Sequence, residues 1–173
     1  MCFPLSTRVI HKDTPGPNLG SENLQVTSTG LVFITSGFSF PGNTPEWFAY
    51  MKNNSITGRV ILFDFQNPKQ EAVELKIRSS KDFNISSFSP HGISVLEDVA
   101  KGEHLVYIVN HPHPAPDAVE KFKYIPKTKE LVHIKSIVGA AMTITNDLAV
   151  VAEDTFYITN FMHSTDRFVH IFR

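Results

Sequence analysis

Short runs of β-branched and aromatic residues recur along the chain, and Gly, Pro, Asn, Asp or Ser bounds each run. Such runs are typical of strands, and they lack the 3.6-residue period of an amphipathic helix. Only Pro45–Lys52 suggests a helix, at most a short surface turn, which Thr44 could cap. The pattern otherwise predicts strands near Leu24, near Gly92 and over the segments Leu31–Ser36, Val60–Phe65, Val73–Ile77, His104–Asn110, Val119–Tyr124, Leu131–Ile137, Asp147–Val151, Thr155–Thr159 and Phe168–Phe172.

These predicted strands fall into similar groups, which indicates an all-β fold. One group of four runs from Leu24 to Ile77 and a second from Gly92 to Ile137, whereas a third begins at Asp147 and lacks its last strand. Four antiparallel strands repeated in this way are typical of the blades of a β-propeller. A β-sandwich would show similar spacing and stays open as an alternative. The positions of the unusual polar residues favour the propeller.

Composition and charge exclude several classes of protein. The chain has 173 residues, with 16 Lys and Arg against 17 Asp and Glu, so its formal charge is −1. This balance argues against a nucleic-acid binder and against a polybasic membrane-surface module. Apolar residues make up 42 %, without a run of about 18 that could form a transmembrane helix. The length predicts one ordinary domain.

Cysteines and targeting signals are nearly absent from the sequence. Cys2 is alone, so an intrachain disulfide or a cysteine-based zinc site is excluded. Residues 1–13 lack the apolar core of a signal peptide, so the sequence taken alone favours a cytosolic protein. Two glycosylation triplets begin at Asn53 and Asn84, and they would matter only in a secreted chain.

Oxygen-bearing side chains recur where the first strand of each group starts. They lie in Glu22-Asn23, His91-Gly92-Ile93 and Asn146-Asp147. The first strand of a propeller blade is innermost, so these positions would converge at one end of the central channel. Carboxylate, amide and backbone carbonyl oxygens suit Ca²⁺, which takes about 6–8 oxygen ligands. The alternative is that Asn and Asp are ordinary turn residues at the start of strands.

Two histidines form the second candidate site. His91 follows Pro90 and precedes Gly92, and His111 precedes Pro112, so both backbones are expected to be fixed in turns. Two such imidazoles could form a hydrogen-bonded dyad in which one acts as a general base near neutral pH. The alternative is a buried structural His91 and a turn residue at His111. Motifs of serine hydrolases, P-loop proteins and zinc proteases are absent.

The segment Ser86–Ser94 (SSFSPHGIS) resembles the paraoxonase/arylesterase family in a specific way. Further matching segments extend this resemblance, in order and with nearly the family's spacing, from about Gly20 to Asn160: Gly20–Leu24, Val109–Pro112, Val119–Lys123 and Phe156–Asn160. The resemblance implies a six-bladed propeller with two Ca²⁺ ions that hydrolyses lactones, aryl esters and some organophosphates. It also implies an extracellular protein that could associate with lipoprotein or membrane surfaces.

The resemblance assigns roles to individual positions. His91 and His111 match the family's histidine dyad. The positions that match calcium ligands are Glu22 and Asn146 for the catalytic ion, and Asn23, Asp147 and the carbonyl of Ile93 for the structural ion. Under this interpretation the calcium polarises the substrate oxygen, and His91, supported by His111, helps a water to attack.

The sequence also departs from the family's pattern. Asn23 stands where the family usually has Asp, Phe161 stands where it has an acidic residue, and Cys2 does not align with the cysteine that closes the propeller. The match stops about halfway along the family's length, before one Asn and an Asp-Asn pair that complete the catalytic calcium site. We therefore expect residues 1–19 to be an N-terminal segment and residues 20–173 to be roughly three blades. A non-catalytic propeller remnant or binding module stays open as the alternative function.

Overall fold

The computed structural model describes residues 21–37 and 45–161. Within them the chain forms one helix, α1 (Pro45–Asn53), a 3₁₀ turn (Ile85–Ser87) and the strands β1 (Ser21–Val26), β2 (Leu31–Ser36), β3 (Arg59–Asp64), β4 (Val73–Glu74), β5 (Lys76–Arg78), β6 (Pro90–Asp98), β7 (Glu103–Asn110), β8 (Ala118–Ile125), β9 (Glu130–Ile137), β10 (Thr145–Ala152) and β11 (Thr155–Asn160). The predicted all-β character is confirmed. The predicted strand Phe168–Phe172 lies outside the described residues.

The strands form three sheets that follow the three predicted groups. β1, β2, β3 and β4 make one antiparallel sheet, and β10 pairs with β11 in a second. Between them in sequence, β6, β7, β8 and β9 form an antiparallel sheet to which β5 adds a fifth strand, parallel to β9. Most antiparallel neighbours are joined by short turns, whereas the connection between β2 and β3 contains a helix.

The prediction of one continuous strand over Val73–Ile77 is wrong. Leu75 interrupts it: the Leu75 side chain is buried in the core, and its backbone N–H donates to Val60. After Leu75 the chain leaves the first sheet and pairs with β9, where Lys76 and Arg78 lie 3.7 Å and 3.6 Å from the Glu130 carboxylate. The second group therefore has five strands instead of four.

Helix α1 is longer than the short surface turn predicted from the sequence. It covers nine residues and carries Glu46 in its first turn and Lys52 in its last, which suits the helix dipole. Met51 of the helix is buried, so α1 packs on the domain as well as facing solvent.

Two apolar clusters hold the sheets together, and β7 contributes to both. Val106 and Ile108 of β7 join the larger cluster with Phe33 of the first sheet. Tyr107 and Val109, on the opposite face of β7, join the smaller cluster with Leu148 of the third sheet. Alternate residues of a strand face opposite sides, so the first and third sheets cover opposite faces of the second. A strand buried on both faces reads as a continuous apolar run, as this one does.

The first strands of the three sheets are neighbours in space, since β6 packs against both β1 and β10. Their connecting turns are also tied to the middle sheet. The backbone N–H and hydroxyl of Ser28, in the turn after β1, donate to the Glu97 carboxylate at 2.6–3.1 Å. Lys121 of β8 donates to Glu153 at 2.8 Å and to Asp154 at 2.9 Å, in the turn after β10.

In the part of the chain that the structure describes, α1 is too short and too polar to cross a membrane.

Candidate functional site

A β-bulge or similar irregularity interrupts each of the three first strands near its start. The register shifts between Ser21 and Leu24 in β1, between Pro90 and Ile93 in β6, and between Thr145 and Asp147 in β10. These intervals contain the predicted pairs Glu22-Asn23 and His91-Gly92, and Asn146. Bulges bend the strand and redirect side chains, and they are frequent beside active sites. The irregularities therefore explain how neighbouring polar residues at a strand start can turn toward one another.

At two of the three strand starts, a threonine on the paired strand holds the backbone in the same way. The backbone N–H of Asn23 donates to Thr35 Oγ1 at 3.2 Å, and that of Asp147 donates to Thr159 Oγ1 at 3.2 Å. In each case the hydroxyl also donates back to the carbonyl of the same residue, and the two partners are twelve positions apart. The repeat that the sequence suggested thus extends to hydrogen bonds. The single Thr35 hydroxyl proton is shared between the Asn23 carbonyl and the His91 carbonyl, which lies nearer at 2.6 Å, and this contact joins β1, β2 and β6.

Gly92 lets the starts of β6 and β10 approach closely. A Cβ at Gly92 would lie 2.6 Å from Asp147 Cα and 2.7 Å from the Asn146 carbonyl oxygen, and would press on the Asp147 carboxylate. Real Cβ atoms do not tolerate such distances, so a side chain here would push the two strands apart. Asn146 and Asp147 are consequently held in close contact with Gly92, between His91 and Ile93.

The residues gathered here fit Ca²⁺ in their donor chemistry, but supply only part of a coordination shell. Their side chains offer carboxylate and amide oxygens, which are hard ligands. Asn23 Oδ1 accepts from the Leu24 N–H at 2.7 Å, and Asp147 Oδ1 accepts from the Leu148 N–H at 2.8 Å, which orients both side chains. Within residues 21–37 and 45–161, however, three or more His, Cys, Asp or Glu side chains never come together in a metal-binding arrangement. Ile93 buries its side chain in the core.

The histidines lie in a chain of four side chains. His91 Nε2 is 3.0 Å from Glu22 Oε1, and His91 Nδ1 is 3.2 Å from His111 Nε2. His111 Nδ1 in turn lies 2.8 Å from Asp117 Oδ1. The second Asp117 oxygen accepts from the Thr145 N–H at 2.7 Å. The structure thus brings together the two predicted histidines and a predicted calcium ligand, and adds an acid at the far end.

Burial lowers the pKa of the His91 imidazole, and the neighbouring His111 lowers it further, whereas Glu22 opposes the shift. His91 is 7 % exposed and His111 is 5 % exposed. A pKa below the ordinary value of about 6.5 keeps His91 neutral at pH 7 and able to accept a proton.

A buried polar network fixes the backbone on both sides of the dyad. Asn110, next to His111, accepts from the Ser89 N–H at 2.9 Å and donates to Glu120 at 2.9 Å. The Glu120 carboxylate also lies 2.9 Å from His133 Nε2 and accepts from the Ser136 hydroxyl. Such a network is stabilising only when all its members are satisfied, as they are here. It ties the segment before His91 to the segment that carries His111.

A cavity of about 600 Å³ opens beside His111. Met51 and Phe88 give it an apolar wall, and His113 and Ser87 add polar atoms. This size falls in the range of small-molecule sites. The predicted calcium positions do not line it.

Sequence reasoning missed Asp117, Thr35 and Glu120. Asp117 follows Pro116 directly before β8, where an Asp is ordinarily a turn residue, and Glu120 lies on an alternating strand as a surface residue would. Thr35 is one of many threonines in predicted strands. Only their burial and their partners across sheets distinguish them. Both glycosylation triplets are exposed at their asparagines, and Asn84 Oδ1 caps the 3₁₀ turn by accepting from the Ser86 N–H.

Comparison with known proteins places these residues in one family. The family model named Arylesterase matches residues 12–173. The chain is 39 % identical over 145 residues to serum paraoxonase/arylesterase 2 of Gallus gallus and 37 % identical over 145 residues to serum paraoxonase/arylesterase 1 of Homo sapiens, covering 84 % of this chain and 38 % of each relative. It is 34 % identical over 155 residues to serum paraoxonase/lactonase 3 of Homo sapiens, covering 88 % and 40 %. The chain therefore spans about two fifths of the length of these relatives. With a family model that matches nearly all of its residues, the chain belongs to the arylesterase/paraoxonase family.

Proposed function

We propose that the protein is a calcium-dependent hydrolase of aryl esters and lactones, and of some organophosphates, built on a six-bladed β-propeller. The observation that carries the proposal is the chain of contacts from Glu22 through His91 to His111, beside the closely packed Asn146-Asp147 segment. Three sheets whose first strands are neighbours fit three successive blades, with residues 20–173 as the N-terminal half of the propeller.

Calcium is the cofactor we propose, with two ions, as the resemblance to the paraoxonase/arylesterase family implies. Glu22 and Asn146 would hold the catalytic ion, while Asn23, Asp147 and the Ile93 carbonyl would hold the structural ion. When bound, Ca²⁺ supplies Lewis-acid polarisation of the substrate's carbonyl or phosphoryl oxygen. Because Ca²⁺ takes about 6–8 oxygens, the remaining ligands have to come from outside the described residues.

The histidines provide the proton transfer. His91 is neutral at pH 7, since burial lowers its pKa, and can take a proton from a water at Nε2 as the water oxygen bonds to the substrate carbon or phosphorus. His111 accepts a hydrogen bond from His91 Nδ1–H and so holds the ring in the orientation that leaves Nε2 available. The alcohol, phenol or ring oxygen of the substrate leaves as its bond breaks and takes up the proton that His91 accepted from the water. The cavity beside His111 could accommodate an aryl or alkyl group.

We further propose secretion, and association with lipoprotein or membrane surfaces, on the analogy of relatives named serum paraoxonases. Under this proposal the exposed Asn53 and Asn84 become glycosylation candidates.

A second candidate function is a non-catalytic binding module. Within the described residues, acidic and histidine side chains do not form a cluster of three or more that could hold a metal ion. This favours the binding module for this chain alone. We accordingly expect residues 1–173 by themselves to show negligible arylesterase turnover.

The two candidates separate in a reconstruction experiment. Residues 1–173 are fused to the part of human serum paraoxonase/arylesterase 1 that lies beyond the matched segment, and phenyl acetate and a lactone are assayed with Ca²⁺. The proposal predicts hydrolysis that a chelator abolishes and that His91→Gln reduces at least about tenfold. Lys69→Gln, at an exposed position away from the site, should leave it unchanged. A folded fusion that binds Ca²⁺ and hydrolyses neither substrate would support the binding module.

A further inference from the structure

Asp117 occupies a position from which it touches both halves of the proposed site. Its Oδ1 lies 2.8 Å from His111 Nδ1, and its Oδ2 accepts from the Thr145 N–H at 2.7 Å. The Asp117 side chain is 13 % exposed and that of His111 is 3 % exposed, so water competes little for either contact. Thr145 directly precedes Asn146, one of the proposed calcium ligands. Asp117 therefore fixes an imidazole with one oxygen and the start of β10 with the other.

The number of ring protons shared by these four side chains shows what Asp117 does. Two neutral imidazoles carry two N–H groups, whereas three gaps separate Glu22, His91, His111 and Asp117. A carboxylate accepts only, so Asp117 favours the His111 tautomer with its proton on Nδ1. His111 Nε2 then carries a lone pair that faces His91 Nδ1 at 3.2 Å. The hydrogen bond between the rings can form only if His91 holds its proton on Nδ1, which leaves the lone pair of His91 on Nε2.

We propose that Asp117 is a positioning residue that sets the tautomers of His111 and, through it, of His91. Glu22 alone would favour the other His91 tautomer, because its carboxylate faces His91 Nε2 and attracts a proton there. Asp117 counters this attraction from the other end of the chain. His91 Nε2, the nitrogen beside Glu22, then acts as acceptor. The catalytic meaning of this inference rests on the proposed hydrolytic function, but the tautomer itself does not.

An amide at position 117 separates this role from simple packing. In Asp117→Asn the amide oxygen can keep the bond from the Thr145 N–H, while the NH₂ group faces His111 Nδ1. That ring would then have to accept at Nδ1 and place its proton on Nε2, as an Asp-to-Asn change does in a catalytic triad. The shape of the side chain stays the same, whereas the direction of the hydrogen-bond chain reverses.

The test is a long-range ¹H–¹⁵N correlation spectrum of the histidine rings in the 173-residue chain at pH 8, where a free imidazole is neutral. The spectrum of His111→Gln identifies the His111 signals among the eight histidines. Asp117→Asn is compared with Asp98→Asn, a matched change at an exposed turn, and the backbone amide spectrum of each variant reports folding.

We expect His111 to carry its proton on Nδ1 in the unchanged chain and in Asp98→Asn, and on Nε2 in Asp117→Asn. Asp117→Ala, which removes the carboxylate from His111 Nδ1, should give a mixture of both forms. A proton on His111 Nε2 in the unchanged chain would overturn the inference without any variant. The same tautomer in folded Asp117→Asn as in the unchanged chain would also overturn it. Absence of esterase activity in the folded fusion protein would refute the proposed function and leave this result standing.

Discussion

Replacing Glu120 by Gln should destabilise the domain far more than the loss of one surface charge would. The Glu120 carboxylate is 3 % exposed and faces only donors: Asn110 Nδ2 at one oxygen, and His133 Nε2 and the Ser136 hydroxyl at the other. A glutamine has one acceptor oxygen, so its NH₂ group must face at least one of these donors. If it faces Asn110, that amide has to turn and release the Ser89 N–H, directly before Pro90 and His91.

The expected magnitude follows from the bonds that are lost. A hydrogen bond to a buried charged group contributes about 1.5–3 kcal/mol, and a donor left facing another donor adds a desolvation penalty. We therefore expect the free energy of unfolding to fall by about 2–4 kcal/mol. For a domain of this size that corresponds to a melting temperature lower by roughly 4–16 °C.

Urea unfolding followed by tryptophan fluorescence and circular dichroism measures this change. Glu103→Gln is the matched control, because Glu103 is 42 % exposed and pairs with Lys123 at the surface, where the loss should be about 0–1 kcal/mol. Equal shifts in the two variants would refute the reasoning. So would a more stable Glu120→Gln, since that would mean that the buried carboxylate is a net penalty.

Three further predictions concern other contacts. Lys121→Met removes the buried ammonium and both of its carboxylate contacts, so the free energy of unfolding should fall by about 2–3 kcal/mol. Burial lowers the pKa of Lys121, but the hydrogen bonds to Glu153 and Asp154 outweigh it and raise the pKa, so the difference from the unchanged chain should be full below about pH 10.4 and shrink above it in unfolding curves. Gly92→Ala should separate β6 from β10 and lower the melting temperature by several degrees, whereas Gly139→Ala, which meets no atom within 4 Å, should leave it unchanged; equal melting curves would refute the close approach. Tyr157→Lys should reduce self-association in light scattering, because Tyr157 is 73 % exposed opposite Ala149 of β10, a strand that also exposes Val151; unchanged scattering would show that another surface drives association.

The strands were predictable from the sequence because their apolar residues alternate or run continuously between turn residues. Leu31–Ser36 matches β2 at both ends, since Gly30 bounds it with a φ of 87° and Gly37 with a φ of 85°. The break at Leu75 was not predictable, because an apolar residue inside a strand pattern gives no sign that its flanking residues pair with different sheets.

The candidate site was predictable in its members but not in its connections. His91 and His111 stood out through their Pro and Gly neighbours and through the family resemblance. Asp117 did not, because its role depends on a contact with a residue six positions before it and on a backbone N–H twenty-eight positions after it. The irregular register at each strand start was equally invisible, since a bulge changes the pairing without requiring a particular residue type.

Calcium binding to the 173-residue chain is the most direct test of the proposal that the three strand starts, through Asn23, Ile93 and Asp147, contribute to the structural calcium site. Isothermal titration calorimetry with Ca²⁺ compares the unchanged chain with Asp147→Asn and with the surface control Asp98→Asn. We expect weak binding, with a dissociation constant on the order of 10⁻⁴–10⁻³ M, that Asp147→Asn abolishes and Asp98→Asn retains. Binding that survives Asp147→Asn unchanged, or a folded chain without any calcium-dependent heat, would contradict it.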